Sequence, residues 1–310
     1  MEYGHLPGID TPVARLIMGT MVCTTDNMPL TRELLDAYVA TGGNCLDTAV
    51  VYAGGRSEAA VGQWMREREN RDRLVIVAKG AHPKADGAPR VTPEAIEEDI
   101  EASLERMQTD RFDLYLLHRD DPEAPVGPIV RCLDDQVRRG RIRAFGGSNW
   151  THRRVAEANQ YAAEHGLMGF AASSPYMGLA VPNEPMWQGC VHLDAEAKRW
   201  HEETGFPALA WSSQAGGLFT GRYHPDDRRN ADMVRVYYSD ANWERVRRCR
   251  VLAGERGCTP NQIALAYVLC HPFPVFALIG PRSPSELRDS VGALTIDLTS
   301  AERSWLNLEA

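Results

Sequence analysis

The sequence lacks the features of membrane-bound and secreted proteins. The longest apolar runs in its 310 residues, such as Ile263 to Cys270, fall far short of the ~20 residues that span a bilayer. The first residues, Met-Glu-Tyr-Gly-His, have neither the basic nor the apolar region of a signal peptide. The seven cysteines are an odd number without a Cys-x-x-Cys pair, which favours reduced thiols over a zinc site. We therefore expect a cytoplasmic protein with no metal and no membrane partner.

Basic residues are too few to predict a nucleic-acid partner. There are 34 Lys and Arg against 42 Asp and Glu, which gives a net charge of −8, and no part of the chain is loaded with cations. The composition is 44% apolar and 25% charged, which is ordinary for a globular protein and excludes a disordered or fibrous chain. A chain of this length buries roughly three quarters of its unfolded surface, so it needs no disulfide or metal to fold.

Short apolar runs alternate with helical patterns along the chain, and no linker interrupts them. The runs are apolar on both faces, as the strands of a buried parallel sheet are. They cover residues 15–19, 44–47, 74–78, 113–117, 142–147, 169–172, 208–211 and 275–279. An open doubly wound sheet is the alternative, but it usually carries a G-x-G-x-x-G after its first strand, and none is found. The pattern predicts a single (β/α)8 TIM barrel domain over residues 1–310.

Capping residues predict where several helices begin. Thr31, Thr92, Thr151 and Thr259 each precede a helical pattern, and proline follows Thr92 and Thr259 at the first helical position. Two further segments, residues 283–286 and 299–302, have the form of a capping box, in which a Ser or Thr is followed three residues later by Glu.

Polar residues end most of the apolar runs, and in this fold catalytic residues lie at the carboxyl ends of the strands. Asp47, Lys79 and His118 end three successive runs, which is more typical of an active site than of isolated buried polar groups. The other residues at these ends are Thr20, Ser148, Asn149, Ser173, Ser174, Ser212 and Arg282.

An ordered set of motifs surrounds these residues. Asp47 lies in Asp-Thr-Ala-Val-Val-Tyr, which ends at Tyr52, and Ser-Glu follows at 57–58. Lys79 lies in Val-Ala-Lys-Gly and His118 in Leu-Leu-His. Gly-Gly-Ser-Asn at 146–149 and Trp-Ser-Ser-Gln at 211–214 complete the set. With these motifs the sequence resembles the aldo-keto reductases from about residue 15 to residue 308.

Two positions depart from the family pattern. Ala53 stands where a glycine commonly follows the tyrosine, and Ser173 stands where the family usually has a glutamine that holds the nicotinamide amide.

The resemblance implies reduction of a carbonyl by hydride transfer from NAD(P)H. Tyr52 would be the general acid, and the Lys79 ammonium would lower the pKa of its phenol, which is near ~10 in free tyrosine. Asp47 would keep Lys79 charged and oriented. His118 would donate a hydrogen bond to the substrate oxygen.

The resemblance also implies where the cofactor binds. Ser148 and Asn149 would hold the nicotinamide amide, Trp211 would stack on its ring, and Ser212, Gln214 and Gly216 would line the pyrophosphate path. The full cofactor set is Gly19, Thr20, Met21, Asp47, Ser148, Asn149, Ser173, Trp211, Ser212, Gln214, Gly216, Gly280, Arg282, Glu286 and Ser290.

Cofactor preference depends on residues 280–286, which open a helix whose N-terminus can receive a phosphate. Arg282 is the cation best placed for it, and we expect NADP(H), with NAD(H) as the alternative. Glu286 either faces the 2′ position of the adenosine, where a carboxylate opposes a 2′-phosphate, or merely caps the helix.

Substrate contacts are expected from Cys23, His82 and Arg119. The acidic and basic residues around Arg119 predict a polar rim, which suits a hydroxyl-rich or anionic carbonyl, such as a sugar derivative, better than a steroid or aromatic ketone. Arg119 could grip a carboxylate or phosphate with two parallel hydrogen bonds. The alternative is that it pairs with Asp120, Asp121 or a neighbouring loop outside the pocket.

Two other functions compete with this one. Lys79 could form a Schiff base, as in a barrel lyase. The chain could also be a non-catalytic binding subunit, since some aldo-keto reductase-like proteins are channel subunits. We expect a small-molecule carbonyl or alcohol as the substrate. The protein itself is expected to be a monomer or a small homo-oligomer.

Overall fold

Eight parallel strands close into a barrel in the computed structural model, which describes residues 1–309. Each strand of the barrel is hydrogen-bonded to the next one along the chain, and the last strand pairs with the first. These strands are β3 (Leu16–Gly19), β4 (Cys45–Asp47), β5 (Val75–Gly80), β6 (Phe112–Leu117), β7 (Ile142–Ser148), β8 (Ala172–Ser174), β9 (Ala208–Ala210) and β10 (Val275–Ile279). The predicted (β/α)8 TIM barrel is therefore confirmed, and all eight carboxyl ends meet at one rim.

Helices cover the outside of the barrel. They are α1 (Met28–Ala40), α2 (Arg56–Arg68), α3 (Pro93–Met107), α4 (Val126–Arg138), α5 (His152–His165), α6 (Ala195–Thr204), α7 (Ala231–Tyr237), α8 (Asp240–Arg256), α9 (Pro260–Leu269), α10 (Pro284–Gly292) and α11 (Ser300–Leu306). Helices α7 and α8 are inserted between β9 and α9. No helix within residues 1–309 has the length and apolar character needed to cross a membrane.

The N-terminal hairpin closes the end of the barrel opposite the strand carboxyl ends. Strands β1 (Tyr3–Leu6) and β2 (Ile9–Ala14) pair antiparallel. Leu6, Ile9 and Val13 are buried against the barrel interior, where they pack with Ile17, Val75 and other inward side chains. A second, larger core lies between the strands and the helices. With this end sealed, the barrel offers its opposite rim to ligands.

Most predicted helix starts are confirmed, but one differs. Thr92, Thr151 and Thr259 accept the capping hydrogen bonds expected of them. Helix α1 instead begins at Met28, because the side chain of Asn27 accepts from the backbone N–H of Leu30. The position predicted to open it, Thr31, lies inside the helix.

The 283–286 segment forms only half of the expected capping box. The Ser283 hydroxyl accepts from the backbone N–H of Glu286 at 3.3 Å. The carboxylate of Glu286 does not return the bond to Ser283. It accepts from the backbone N–H of Arg282 instead, at 2.8 Å. The box at 299–302 is complete.

Strand β8 begins later than the sequence predicted. The apolar run at 169–172 indicated a strand there, whereas the ladder with β7 pairs Ala172, Ser173 and Ser174 with Gly146, Gly147 and Ser148. This register depends on the neighbouring strand, because Gly146 lies opposite Ala172. A side-chain carbon on Gly146 would meet the carbonyl oxygen of Ala172 at 2.1 Å, so this pairing requires glycine there. Ser173 is consequently inside the strand.

Candidate active site

Three successive strands bring the predicted catalytic residues to one end of the barrel. Asp47 ends β4, Lys79 is the penultimate residue of β5, and His118 follows β6 directly. Tyr52 begins a short 3-10 turn, Tyr52–Gly55, in the loop after β4. The Tyr52 and His118 rings meet edge to face, with centroids 5.9 Å apart.

The turn that carries Tyr52 requires left-handed backbone. Ala53, Gly54 and Gly55 have φ values of 50°, 62° and 86°. The left-handed region costs an alanine roughly 1 kcal/mol, whereas glycine enters it freely. Ala53 therefore keeps the backbone geometry of the turn even though it departs from the family's glycine.

Asp47 and Lys79 form an ion pair inside the barrel. Their side chains are only 2% and 3% exposed, and Lys79 Nζ donates to Asp47 Oδ1. Lys79 Nζ also donates to the hydroxyl of Tyr52 at 3.1 Å. A continuous chain of hydrogen bonds thus runs from the carboxylate through the ammonium to the phenol.

Burial controls the protonation of this group. It raises the pKa of Tyr52 more than the Lys79 ammonium lowers it, so the net shift is opposite to the one predicted. It also raises the pKa of Asp47, against the effect of Lys79. Burial lowers the pKa of Lys79, but Asp47 and Tyr52 outweigh it and raise that pKa above 10.5. Tyr52 is therefore a protonated phenol at neutral pH and Lys79 an ammonium.

His118 is an uncharged imidazole. Burial and the nearby charges of Lys79 and Arg119 hold its pKa well below 6.5. Its Nδ1 is sealed from solvent and has no partner in residues 1–309, so Nε2 is the nitrogen left to face the cavity. A neutral imidazole with its proton on Nε2 can donate a hydrogen bond to a substrate oxygen.

Asn149 braces the residues around His118. It adopts φ 58°, a conformation that asparagine tolerates well. Its amide nitrogen donates to the backbone oxygen of His118 and to Ser148 Oγ, both at 3.2 Å. Its amide oxygen accepts from Trp211 Nε1 and the backbone N–H of Val191. The amide is fully engaged, so the nicotinamide contact predicted for Asn149 requires one of these bonds to break.

A long cleft of about 1360 Å³ opens at this rim. Ordinary ligand pockets measure about 300–1,000 Å³, so there is room for two ligands or one very extended one. Its catalytic end holds the four residues above, together with Arg119 and His82. Of the predicted cofactor residues it is lined by Gly19, Met21, Asp47, Ser148, Asn149, Trp211, Ser212, Gln214, Gly216, Gly280, Arg282, Glu286 and Ser290.

The far end of the cleft lies at the start of α10. Glu286 Oε1 accepts from Arg222 Nη2 at 3.1 Å, while Oε2 accepts from the backbone of Arg282. Gln214 donates to Ser290 at 3.1 Å. Glu286 thus both caps the helix and pairs with a cation, so neither of its two predicted roles describes it fully.

Three predicted site residues are not brought to the wall of the cleft. Thr20 bonds the backbone of Asp47 and the hydroxyl of Ser57. Cys23 is buried in the outer core, and burial raises the pKa of its thiol to about 12. Contact of Thr20 and Cys23 with a ligand stays a prediction that this geometry does not support.

Ser173, the third of these, faces away from the cleft. Its hydroxyl lies 3.2 Å from Nε2 of His201, on α6, and His201 Nδ1 lies 2.7 Å from the backbone oxygen of Phe206. The carbonyl can only accept, so His201 carries its proton on Nδ1 and accepts from Ser173. The serine therefore occupies the glutamine position without taking over the contact that the family's glutamine makes.

Several cleft residues were missed by the sequence reasoning. Trp187, Gln188 and Cys190 come from the long segment between β8 and α6, and Arg222 follows β9. These positions lie in irregular loops without periodicity or motif. Their place in the cleft follows from tertiary packing, such as that of the Trp187 and Trp211 rings, whose centroids lie 6.0 Å apart, and no sequence signal identifies it.

No group of three or more His, Cys, Asp or Glu side chains within residues 1–309 is arranged to hold a metal ion.

Comparison with known proteins gives a consistent result. Residues 15–306 match the model of the aldo/keto reductase family. An uncharacterized oxidoreductase of Bacillus subtilis, YrpG, is 27% identical over 99% of this chain and 95% of its own length. A putative voltage-gated potassium channel subunit beta of Schizosaccharomyces pombe is 26% identical over 85% of this chain and 78% of its own.

Solved structures resemble the fold as well. A thermostable aldo-keto reductase in complex with the inhibitor epalrestat superposes with a TM-score of 0.77 over the full length of both chains, at 23% identity.

Proposed function

The chain belongs to the aldo/keto reductase family of carbonyl and alcohol oxidoreductases, and from that premise we propose that it reduces an aldehyde or ketone with a nicotinamide cofactor, using Tyr52 as general acid. The observation that carries the proposal is the hydrogen-bonded chain Asp47–Lys79–Tyr52 at the catalytic end of the cleft.

The raised pKa of Tyr52 supports proton donation in the direction of reduction. A phenol that stays protonated at neutral pH has its proton available when a carbonyl oxygen becomes an alkoxide. Lys79 donates to the phenol oxygen and stabilises the phenolate that remains. Asp47 holds Lys79 in place, since the carboxylate accepts from the same nitrogen.

His118 positions the substrate oxygen. As an uncharged donor it stabilises negative charge on that oxygen without competing as an acid, and the Asn149 amide holds its backbone. A bound NAD(P)H would supply the hydride.

The residues of the cleft fit such a cofactor. The Ser148 hydroxyl lines the cleft, donates to the backbone oxygen of Ser174 and accepts from the Asn149 amide, so one of its two lone pairs is left for a ligand. Gly216 and Gly217 have φ values of 62° and 87°, which glycine alone adopts freely, and the backbone there lines the cleft. A side-chain carbon at Gly280 would meet no atom within 4 Å, so a phosphate has space beside that backbone.

We assign NADP(H) as the preferred cofactor, with NAD(H) as the alternative. Two arginines, Arg222 and Arg282, line the far end of the cleft and can contact a 2′-phosphate. Glu286 partly neutralises them, since it pairs with Arg222.

The competing functions find less support. A Schiff-base lysine needs a lowered pKa so that its amine is free, whereas Asp47 and Tyr52 raise the pKa of Lys79. A non-catalytic subunit has no need of the four convergent residues found here.

Nicotinamide absorbance at 340 nm tests the proposal. Purified protein is mixed with NADPH or NADH and a panel of sugars, aliphatic aldehydes, aromatic aldehydes and ketones. We expect carbonyl-dependent loss of absorbance, faster with NADPH. Absence of turnover with every carbonyl and both cofactors would contradict it, and trapping by borohydride with a carbonyl alone would support the Schiff base.

A further inference from the structure

Arg119 is a buried cation without a carboxylate partner. It is 6% exposed and lines the cleft beside His118. Its Nε donates to the backbone oxygen of Gln188 at 3.2 Å and its Nη1 to that of His118 at 2.8 Å. A guanidinium has five N–H donors, so three remain, and nothing in residues 1–309 accepts from Nη2. A buried charge left without a counter-ion is unfavourable, which favours an external anion.

None of the acidic residues near Arg119 forms an ion pair with it. Asp47 accepts from Lys79, and Asp120 pairs with Arg154 at 3.2 Å. Asp121, at the rim, accepts from the backbone N–H of Glu123. Of the alternative partners predicted for Arg119, the structure therefore shows the neighbouring loop, through the backbone oxygen of Gln188, and not Asp120 or Asp121.

Arg119 is therefore a cation that lines the cleft without an ion-pair partner. Tyr52 and His118, which line the same end, are uncharged, and Lys79 is matched by Asp47.

Apolar side chains line the mouth of this same end. Residues 1–309 leave six large hydrophobic side chains exposed, and three of them, Met21, Val51 and Trp187, line the cleft. The segment from Trp187 to Cys190 lies on Arg119, since a side-chain carbon on Gly189 would meet Arg119 Cδ at 3.3 Å. Arg119 and the exposed indole of Trp187 therefore belong to neighbouring parts of the cleft wall.

We propose that the substrate is a carbonyl compound that carries an anionic group, a carboxylate or a phosphate, which accepts hydrogen bonds from Arg119 while the body of the molecule packs against Trp187. This proposal rests on the proposed carbonyl reduction. It keeps the anionic substrate expected from the sequence. The residues of the predicted polar rim line the cleft together with the apolar side chains: His82, Lys84, Asp120 and Asp121.

Matched aldehydes test the proposal. 4-Carboxybenzaldehyde is compared with its methyl ester, methyl 4-formylbenzoate, and 4-formylphenyl phosphate with 4-methoxybenzaldehyde. A charge-assisted hydrogen bond to a buried guanidinium corresponds to a preference of about 10-fold or more in kcat/KM, mainly through KM. Arg119→Met should reduce the anion-over-neutral ratio by that factor, and Arg119→Lys should restore part of it. Whichever pair discriminates identifies the carboxylate or the phosphate.

Arg245→Met is the matched control. Arg245 is also buried and without a carboxylate ion pair, but it lies on α8, where it donates to Asn242 and to the backbone of Asn307, outside the cleft. Its loss should change protein stability and leave the substrate ratio unchanged. If Arg119→Met slows the anionic and neutral aldehydes equally, Arg119 only braces Gln188 and the proposal is overturned.

Binding separates this proposal from the proposed reaction. If no aldehyde is reduced, calorimetry with benzoate, phenyl phosphate and neutral benzamide still measures the anion site. Binding of an anion to the wild type, with at least about 10-fold weaker binding to Arg119→Met, supports the site independently of catalysis. Equal binding to both proteins, or no binding to either, overturns it.

Discussion

Replacing Lys79 by methionine should destabilise the fold as well as abolish activity. The change leaves the Asp47 carboxylate buried with no cation beside it, because Oδ1 loses Lys79 and Oδ2 already lacks a partner. Removing one member of a buried ion pair costs about 3–5 kcal/mol. The free energy of unfolding, measured in urea by circular dichroism at pH 7, should fall by that amount.

The same variant should acquire a pH-dependent stability. Burial raises the pKa of Asp47, and both effects that lower it come from Lys79, so its loss raises that pKa further. A carboxyl whose pKa is higher in the folded state than the unfolded value of about 3.9 favours folding in acid. The stability of Lys79→Met relative to wild type should therefore decline as pH rises from about 4 through the folded-state pKa.

Two further proteins complete this test. The double variant Asp47→Asn, Lys79→Met removes the orphaned charge and should be more stable than the single variant by about 2 kcal/mol, while remaining inactive. Arg68→Met breaks an exposed ion pair with Asp36 and should cost no more than about 1 kcal/mol. A loss below about 1 kcal/mol for Lys79→Met, or a double variant no more stable than the single one, would refute the reasoning.

Three further outcomes are expected. Glu286→Gln should raise the ratio of kcat/KM with NADPH to kcat/KM with NADH by about 5-fold, because it releases Arg222 and removes about 1 kcal/mol of repulsion between the carboxylate and a 2′-phosphate. Glu302→Gln changes a helix-capping glutamate outside the cleft and should leave this ratio unchanged. At saturating cofactor, kcat/KM for reduction should stay flat from about pH 6 to pH 9, because the pKa of Tyr52 is raised and that of His118 is lowered. An inflection in the acid part of this range would contradict the lowered pKa of His118, and one in the alkaline part would contradict the raised pKa of Tyr52. Ser173→Ala should lower the free energy of unfolding by about 1–3 kcal/mol, because the His201 nitrogen loses its donor, and leave the cofactor Kd unchanged; a weakened Kd would restore the predicted cofactor contact.

The barrel, and the position of Asp47, Lys79 and His118 at one rim of it, could be predicted because each depends on local pattern. Runs that are apolar on both faces indicate buried strands, and the barrel places the carboxyl end of every strand at one rim. The convergence of Asp47, Lys79 and His118 therefore does not depend on the exact residue at which each strand begins. Tyr52 could be assigned only through the resemblance, since a tyrosine in a loop has no distinctive pattern.

Features that depend on tertiary contacts could not be predicted in this way. The hairpin of residues 3–14 is too short for its alternation to be distinctive, and only the barrel floor beneath it explains its apolar residues. The pKa of Tyr52 was expected to fall because Lys79 is its neighbour, but the depth of burial decides the sign. Ser173 was placed with the cofactor by its position in a motif, whereas His201, from a distant helix, determines where its hydroxyl points.

Turnover by Tyr52→Phe is the most direct measurement of whether Tyr52 is the general acid in carbonyl reduction. The variant removes the phenol proton and keeps the ring, and the cofactor residues lie mainly elsewhere along the cleft. With a carbonyl that the wild type reduces, we expect kcat to fall by about 10²- to 10⁴-fold, because the general acid is lost. The cofactor Kd from fluorescence titration should stay close to that of the wild type. Near-normal turnover by Tyr52→Phe would contradict the assignment of Tyr52 as the general acid.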